Sequence, residues 1–414
     1  MSKKRVLALS VALTTSVQAA PAPTVTAQDL FDEVIYQLAS FYNGPSDVRA
    51  SDLRRQFLPE VRGLCGGQAA SCPSAQAYPV VERLLAELKD PHTNLFTPDQ
   101  LSELDRLFTG EQSERRTFGA VTEALGTGGR VVLEVLPGSA AEKAGWKAGD
   151  VLRRVNGVAL DGQAGQAALS RASARGTPAR FEGRRQGKTM TTTLTAAPLQ
   201  VTPVSLSLRP DGLAVLRLRH FNTPGVGQQV HDALRKVQAA GTKGVILDLR
   251  WNSGGRVEEF LLSAGAFTDP APLFLKTRVD TAKIGYGAGR YLVNGKAQEQ
   301  PRIKTPVRYT GPLVVLVDEG TASSAEFLTR TLLGRLSTQV IGEATAGVGD
   351  TATRFIPLTD GSGLQLTFAR MLDAGEQPLG TRITPQVRAS VDLAGLTRTG
   401  RDSVVEQAAT LLSR

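Results

Sequence analysis

The chain has 414 residues, enough for about two or three domains of ordinary size. Its 41% hydrophobic and 21% charged residues suit a chain with a sizeable packed core, which excludes wholesale disorder. The net charge of +9 is mild, and no Lys/Arg block is interleaved with aromatics, so nucleic acid is not expected as a partner.

In chain order, a basic Lys3-Lys4-Arg5 start, an apolar stretch over residues 6–17 and the small-x-small sequence Val17-Gln18-Ala19 read as a signal peptide, residues 1–19. Cleavage there would leave +6 of the +9. The apolar part is too short to span a bilayer, and no later run of about twenty apolar residues follows, so no integral membrane span is expected. The expected location is periplasmic, in the cell envelope, or secreted. In such an oxidising compartment Cys65 and Cys72 suit a loop-closing disulfide, with two buried thiols as the alternative.

Residues 27–107 carry helical periodicity, as in DLFDEVIYQLASFY and YPVVERLLAELKD, and predict a small helical N-terminal domain. From 115 to 199, short strands (131–135, 151–155, 190–196) alternate with glycine turns and one short helix, AAEKAG. From 204 to 414, buried strands alternate with helices: LAVLRLRHF, GQQVHDALRKVQAAG, GVILDLR, VEEFLLSAGAF, PLVVLVD, AEFLTRTLLGRL and TQVIGE, then an amphipathic tail helix from Val404. That alternation predicts a layered sheet with crossover connections, within an α+β multidomain chain.

Within the last region, the run Leu313–Val317 delivers Ser323 and Ser324 to a helix start among small neighbours. Free amides and the positive dipole end of a helix can stabilise the oxyanion formed when a serine attacks a carbonyl. The same pattern also suits a plain helix cap. No metal-ligand spacing is present, and the GTGG of residues 126–129 lacks the ending of a phosphate-binding loop, so no cofactor is expected.

The middle region, RTFGAV followed by VVLEVLPGSAAEKAGWKAGDVLRRVNG, resembles a PDZ domain. Phe118-Gly119-Ala120 matches the apolar-Gly-apolar loop whose amides receive a peptide's terminal carboxylate while the peptide adds a strand. GVILDLRWNSGGRVEEF, PLVVLVDEGTASSAEF, VIGEATAGVG and, upstream, KDPHTNLFTPDQ resemble, in that family's order, the segments of the carboxyl-terminal processing (tail-specific) serine proteases. The resemblance implies a protease core of the ClpP/crotonase-like layered type. It also implies Ser323 as nucleophile, oxyanion-hole amides at Gly255 and Ser324, and protein or peptide substrates with exposed C-terminal tails.

One position departs from the pattern. Where the family's Ser-Lys members carry the activating lysine of GxxTxGKG, this chain has Val348, and Ala352 stands where a glutamine is expected. Three alternatives follow. His92 of DPHT aligns with the base of a tricorn-like branch, although that branch's glutamate aligns with Leu379, and Glu376 lies three positions away. A lysine such as Lys276 or Lys283 could have migrated into the role. Or no base exists, and the chain is a peptide-binding pseudoprotease. His92 as a structural histidine is equally compatible with the sequence, and His220 and His231 read as structural.

Overall fold

A computed structural model describes residues 25–68, 71–109, 116–335, 338–380 and 382–413, so the expected leader lies outside the described residues. The chain is a mixed α/β multidomain protein.

The N-terminal part comprises helices α1 (Ala27–Phe41), α2 (Ala50–Gly67) and α3 (Tyr78–Ala86), the short strand β1 (Asn94–Phe96) and helix α4 (Pro98–Thr109). Thr26 caps α1 through a reciprocal box with Asp29. The Cys65–Cys72 disulfide is formed. Leu30, Phe31, Val34, Leu53, Val81 and Leu84 build the core of these helices, yet Leu358, Leu364 and Leu366 from far downstream join the same cluster. The helices therefore pack directly on the C-terminal region.

The middle domain contains β2 (Arg116–Thr117), β3 (Ala120–Ala124), β4 (Arg130–Val135), α5 (Ala140–Lys143), β5 (Val151–Val155), β6 (Val158–Ala159), α6 (Gly162–Arg175), β7 (Pro178–Arg185), β8 (Lys188–Thr195) and β9 (Ala197–Pro198). Its sheet runs β3-β4-β5-β7-β8, with β6 on β5, so β3 is an edge strand. Phe181 is fully buried at its centre, edge-on to both Phe118 and Trp146.

The remainder comprises β10 (Val204–Leu208), β11 (Leu213–Leu218), α7 (Val226–Ala239), β12 (Gly244–Asp248), α8 (Val257–Ala264), β13 (Leu273–Lys276), β14 (Thr281–Gly287), β15 (Arg290–Val293), β16 (Lys296–Arg302), β17 (Leu313–Val317), α9 (Ser324–Leu333), β18 (Thr338–Gly342), β19 (Thr351–Pro357), β20 (Gly363–Leu372), β21 (Val387–Arg388), α10 (Leu393–Thr399) and α11 (Ser403–Leu412). One sheet runs β10-β11-β12-β17-β18-β21, parallel from β11 onward. Every side chain of β17 is buried because both faces are covered. Leu313, Val315 and Val317 belong to one core cluster with residues of α7, α8 and α9, whereas Val314 and Leu316 belong to another with residues of α11. A second, antiparallel sheet, β1-β20-β13-β14-β15-β16 with β19 on β20, has no counterpart among the predicted elements. Through β1 it ties the segment carrying His92 to the core.

Candidate active site

Ser323 lies beyond the carboxyl end of β17, on the turn into α9. Its backbone (φ 52, ψ −121) is strained for a residue with a side chain, as at sites where surrounding structure holds a functional conformation. The holding group is Glu326, one turn into the helix and 1% exposed. Its Oε2 accepts the amides of Ser323 (3.0 Å) and Val348 (3.0 Å), and its Oε1 accepts the Thr345 hydroxyl (2.5 Å) and the Gly347 amide (2.9 Å). One buried carboxylate thus joins the serine turn to the loop after β18.

The loop after β12 forms the other wall. Asp248 is held well below the ordinary carboxylate range by Arg217 and Arg250, despite its burial. Past it, Asn252 accepts the Ala322 amide on its carbonyl (2.9 Å) and the Gly254 amide on its Oδ1 (2.9 Å). Gly254 (φ 93) permits the closest approach: a first side-chain carbon there would sit 2.8 Å from Ser323 Cβ and 2.9 Å from the Ser324 nitrogen. The buried Ser324 hydroxyl donates to the Gly255 carbonyl (2.7 Å) and locks the two segments together. Among the described residues, neither the Gly255 nor the Ser324 amide donates to a protein acceptor.

His92 is brought to this region from the N-terminal part. Its Nδ1 lies 2.8 Å from Thr351 Oγ1, three residues past Val348, and its amide donates to Asp90 Oδ1 (3.0 Å). Its Nε2 has no hydrogen-bond partner among the described residues. Burial lowers its pKa below the ordinary value, partly countered by Asp90, Asp350 and Glu326.

The other candidates for a base lie apart. Leu379 is buried in the main core, and Glu376 is exposed on a turn, its amide donating to the Asp373 carbonyl. Lys276 ends β13, and Lys283 lies over the Phe274 ring, 6.0 Å from its centre. Neither these residues nor His92 is hydrogen-bonded to Ser323 among the described residues. His231 is fully buried, its Nδ1 accepting the Val307 amide (3.0 Å) and its Nε2 lying 3.1 Å from the Leu262 carbonyl. His220 follows β11 and accepts the Asn222 amide on Nδ1 (3.3 Å).

Phe118 and Ala120 line a groove of about 490 Å³ between β3 and α6, together with Arg116, Leu169 and Ser170. Gly119 (φ 83) admits no side chain, because its first carbon would fall 2.0 Å from Ser139 Cβ. Its amide donates to Thr117 Oγ1 (3.0 Å), so this member of the loop is already engaged.

The Peptidase family S41 profile matches residues 212–389, which hold every segment around Ser323 except that of His92. A chloroplastic C-terminal processing peptidase of Tetradesmus obliquus is 30% identical over 365 residues, 78% of this chain and 71% of that protein. The chain belongs to peptidase family S41. As the sequence resemblance implies, this is a family of serine-type peptidases. The S41 chain is also 28% identical over 320 residues to the carboxy-terminal processing protease CtpA of Bacillus subtilis, 75% of this chain and 63% of that protein. The chain thus spans somewhat under two thirds to about 70% of the length of these relatives.

Among solved structures, a photosystem II D1 C-terminal processing protease superposes with a TM-score of 0.52 at 26% identity, over 91% of this S41 chain and 98% of that one. A putative S41 protease from Bacteroides fragilis shares the fold with a TM-score of 0.58 at 18% identity, over 81% and 90% of the two chains. Glu326 is the site residue that the sequence reading left without a role. Its signal was the Ser-x-x-Glu spacing of a capping box.

Proposed function

We propose that the protein is an exported serine endopeptidase that captures C-terminal or unfolded peptide tails and cleaves them by acyl-enzyme formation at Ser323. Two unused amides, of Gly255 and Ser324, flanking a strained serine are the observation that carries this reading. In the attack, Ser323 Oγ adds to the scissile carbonyl, and the oxygen that becomes negative is received by those amides. His92 takes the serine proton on Nε2 while Nδ1–H donates to Thr351 Oγ1, which sets the tautomer. The imidazolium then protonates the leaving amine, and a water activated by the same nitrogen releases the acyl group.

The middle domain acts as a PDZ module. Its edge strand β3 offers a free ladder for an added strand, and the Phe118–Ala120 loop closes one end of the groove. The parallel sheet with helices on both faces is of the ClpP/crotonase-like type. Residues 1–19 would direct export, and no helix among the described residues is long and apolar enough to cross a membrane.

Val348 favours a second reading, a pseudoprotease that binds tails without cutting them. Cleavage of a reduced, carboxymethylated protein by wild type, Ser323→Ala and His92→Ala separates the two. Turnover lost in both variants supports the peptidase, and absent turnover in wild type with intact peptide binding supports the pseudoprotease.

A further inference from the structure

Trp251 has no part in the chemistry above, yet its position is costly. It is 54% exposed, and its backbone lies in the left-handed region (φ 59), where a bulky residue is an outlier. The surroundings hold it there. Its amide donates to Asp318 Oδ1 (2.8 Å), which also accepts the Gly320 amide (3.0 Å), and its ring edge packs on Gly320, where an added carbon would fall 2.6 Å from Cε3. Asn252, the next residue, holds Ala322 and Gly254. The indole is therefore rigidly registered to the serine turn.

The ring lines a cavity of about 550 Å³ between the middle domain and the carboxyl ends of β11, β12 and β17. Val121, itself 37% exposed, and Leu133 line the same cavity from the middle domain. Strand alternation divides β3 between two sites: Ala120 and Thr122 line the groove against α6, while Val121 and Glu123 line this cavity. The cations here each face a carboxylate, Arg217 at Asp248 and Glu134, Arg219 at Glu134, Arg250 at Asp248 and Asp402, while Arg217 Nε and Arg219 Nε keep no hydrogen-bond partner among the described residues. The lining is mixed, and Trp251, Val121 and Leu133 are among its large apolar side chains.

We propose that Trp251, with Val121 and Leu133, forms an apolar subsite that grips an aromatic or large aliphatic side chain of an extended polypeptide, several residues from the bond cut at Ser323. This rests on the reading of the protein as a peptidase for extended chains. Binding energy gathered at such a distance can be used to position the scissile bond.

The test uses the full chain carrying Ser323→Ala, so that nothing is consumed, with Gly/Ser peptides sharing one C-terminal tail and a single Phe moved along the sequence. Trp251→Gly removes the ring and suits the left-handed backbone, while Trp251→Phe keeps an aromatic on the same backbone. The expected result is one Phe position that tightens binding about tenfold in the parent and in Trp251→Phe but not in Trp251→Gly. Equal Phe dependence in the parent and Trp251→Gly, or none in either, would overturn the proposal. Failure of the peptidase reading shows separately, as absent turnover by the Ser323 protein, and leaves the binding comparison valid.

Discussion

The amides of Ser323 and Val348 donate to the same oxygen of Glu326, each at 3.0 Å. Their nitrogens therefore lie within about 6 Å of each other. Val348, the position where the sequence resemblance implies a lysine, is thus held beside the serine turn.

That proximity makes a restored lysine testable. Val348→Lys in a His92→Ala background is expected to recover serine reactivity, because an ammonium stem placed there and partly desolvated can act as the base. The rate of Ser323 labelling by a phosphonate measures it. Recovery is expected to appear on the alkaline side of neutrality.

Glu326 accepts four hydrogen bonds from two segments, so its removal leaves buried donors unmatched. Glu326→Ala is expected to lower stability by on the order of 3 kcal/mol and to cut kcat well beyond any change in KM. Glu326→Gln, which keeps an acceptor oxygen, should recover part of both. Denaturant unfolding and steady-state kinetics on the same preparations check this.

Gly254→Ala places a methyl carbon against Ser323 and the Ser324 amide. An effect of about 10²-fold or more on kcat is expected, the scale of losing one oxyanion donor. Binding of a C-terminal peptide to the middle domain should be unchanged, as measured by fluorescence anisotropy.

Much of the core was legible because its signals are local. The apolar run of β17, the periodicity of α7 and the capping pattern at Ser323 need only neighbouring residues to be read. The second sheet was not: β14 to β16 are half-exposed strands paired in local hairpins, and only β13 joins them to β20, a long-range pairing. The same limit hid the setting of His92. Thr351 is 259 residues away, and nothing near DPHT announces that contact. Leu358, Leu364 and Leu366 likewise drew the predicted helical domain onto the core from a distance.

All three histidines have pKa values lowered chiefly by burial. Between the folded values and the ordinary value near 6.5, the unfolded chain binds more protons than the native one. Stability contributed by these groups is therefore present above about pH 6.5 and is lost as pH falls through that window. His231 should dominate, since protonating it breaks its bond from the Val307 amide. Thermal melting between neutral and mildly acidic pH is expected to show a fall that His231→Gln reduces.

The pH dependence of Ser323 phosphonylation in wild type and His92→Ala tests whether His92 activates Ser323. Labelling at Ser323 is expected to rise with pH through a single ionisation below the ordinary histidine value, and to fall about 10²–10⁴-fold in His92→Ala. Labelling of equal rate and pH profile in the two proteins would contradict it.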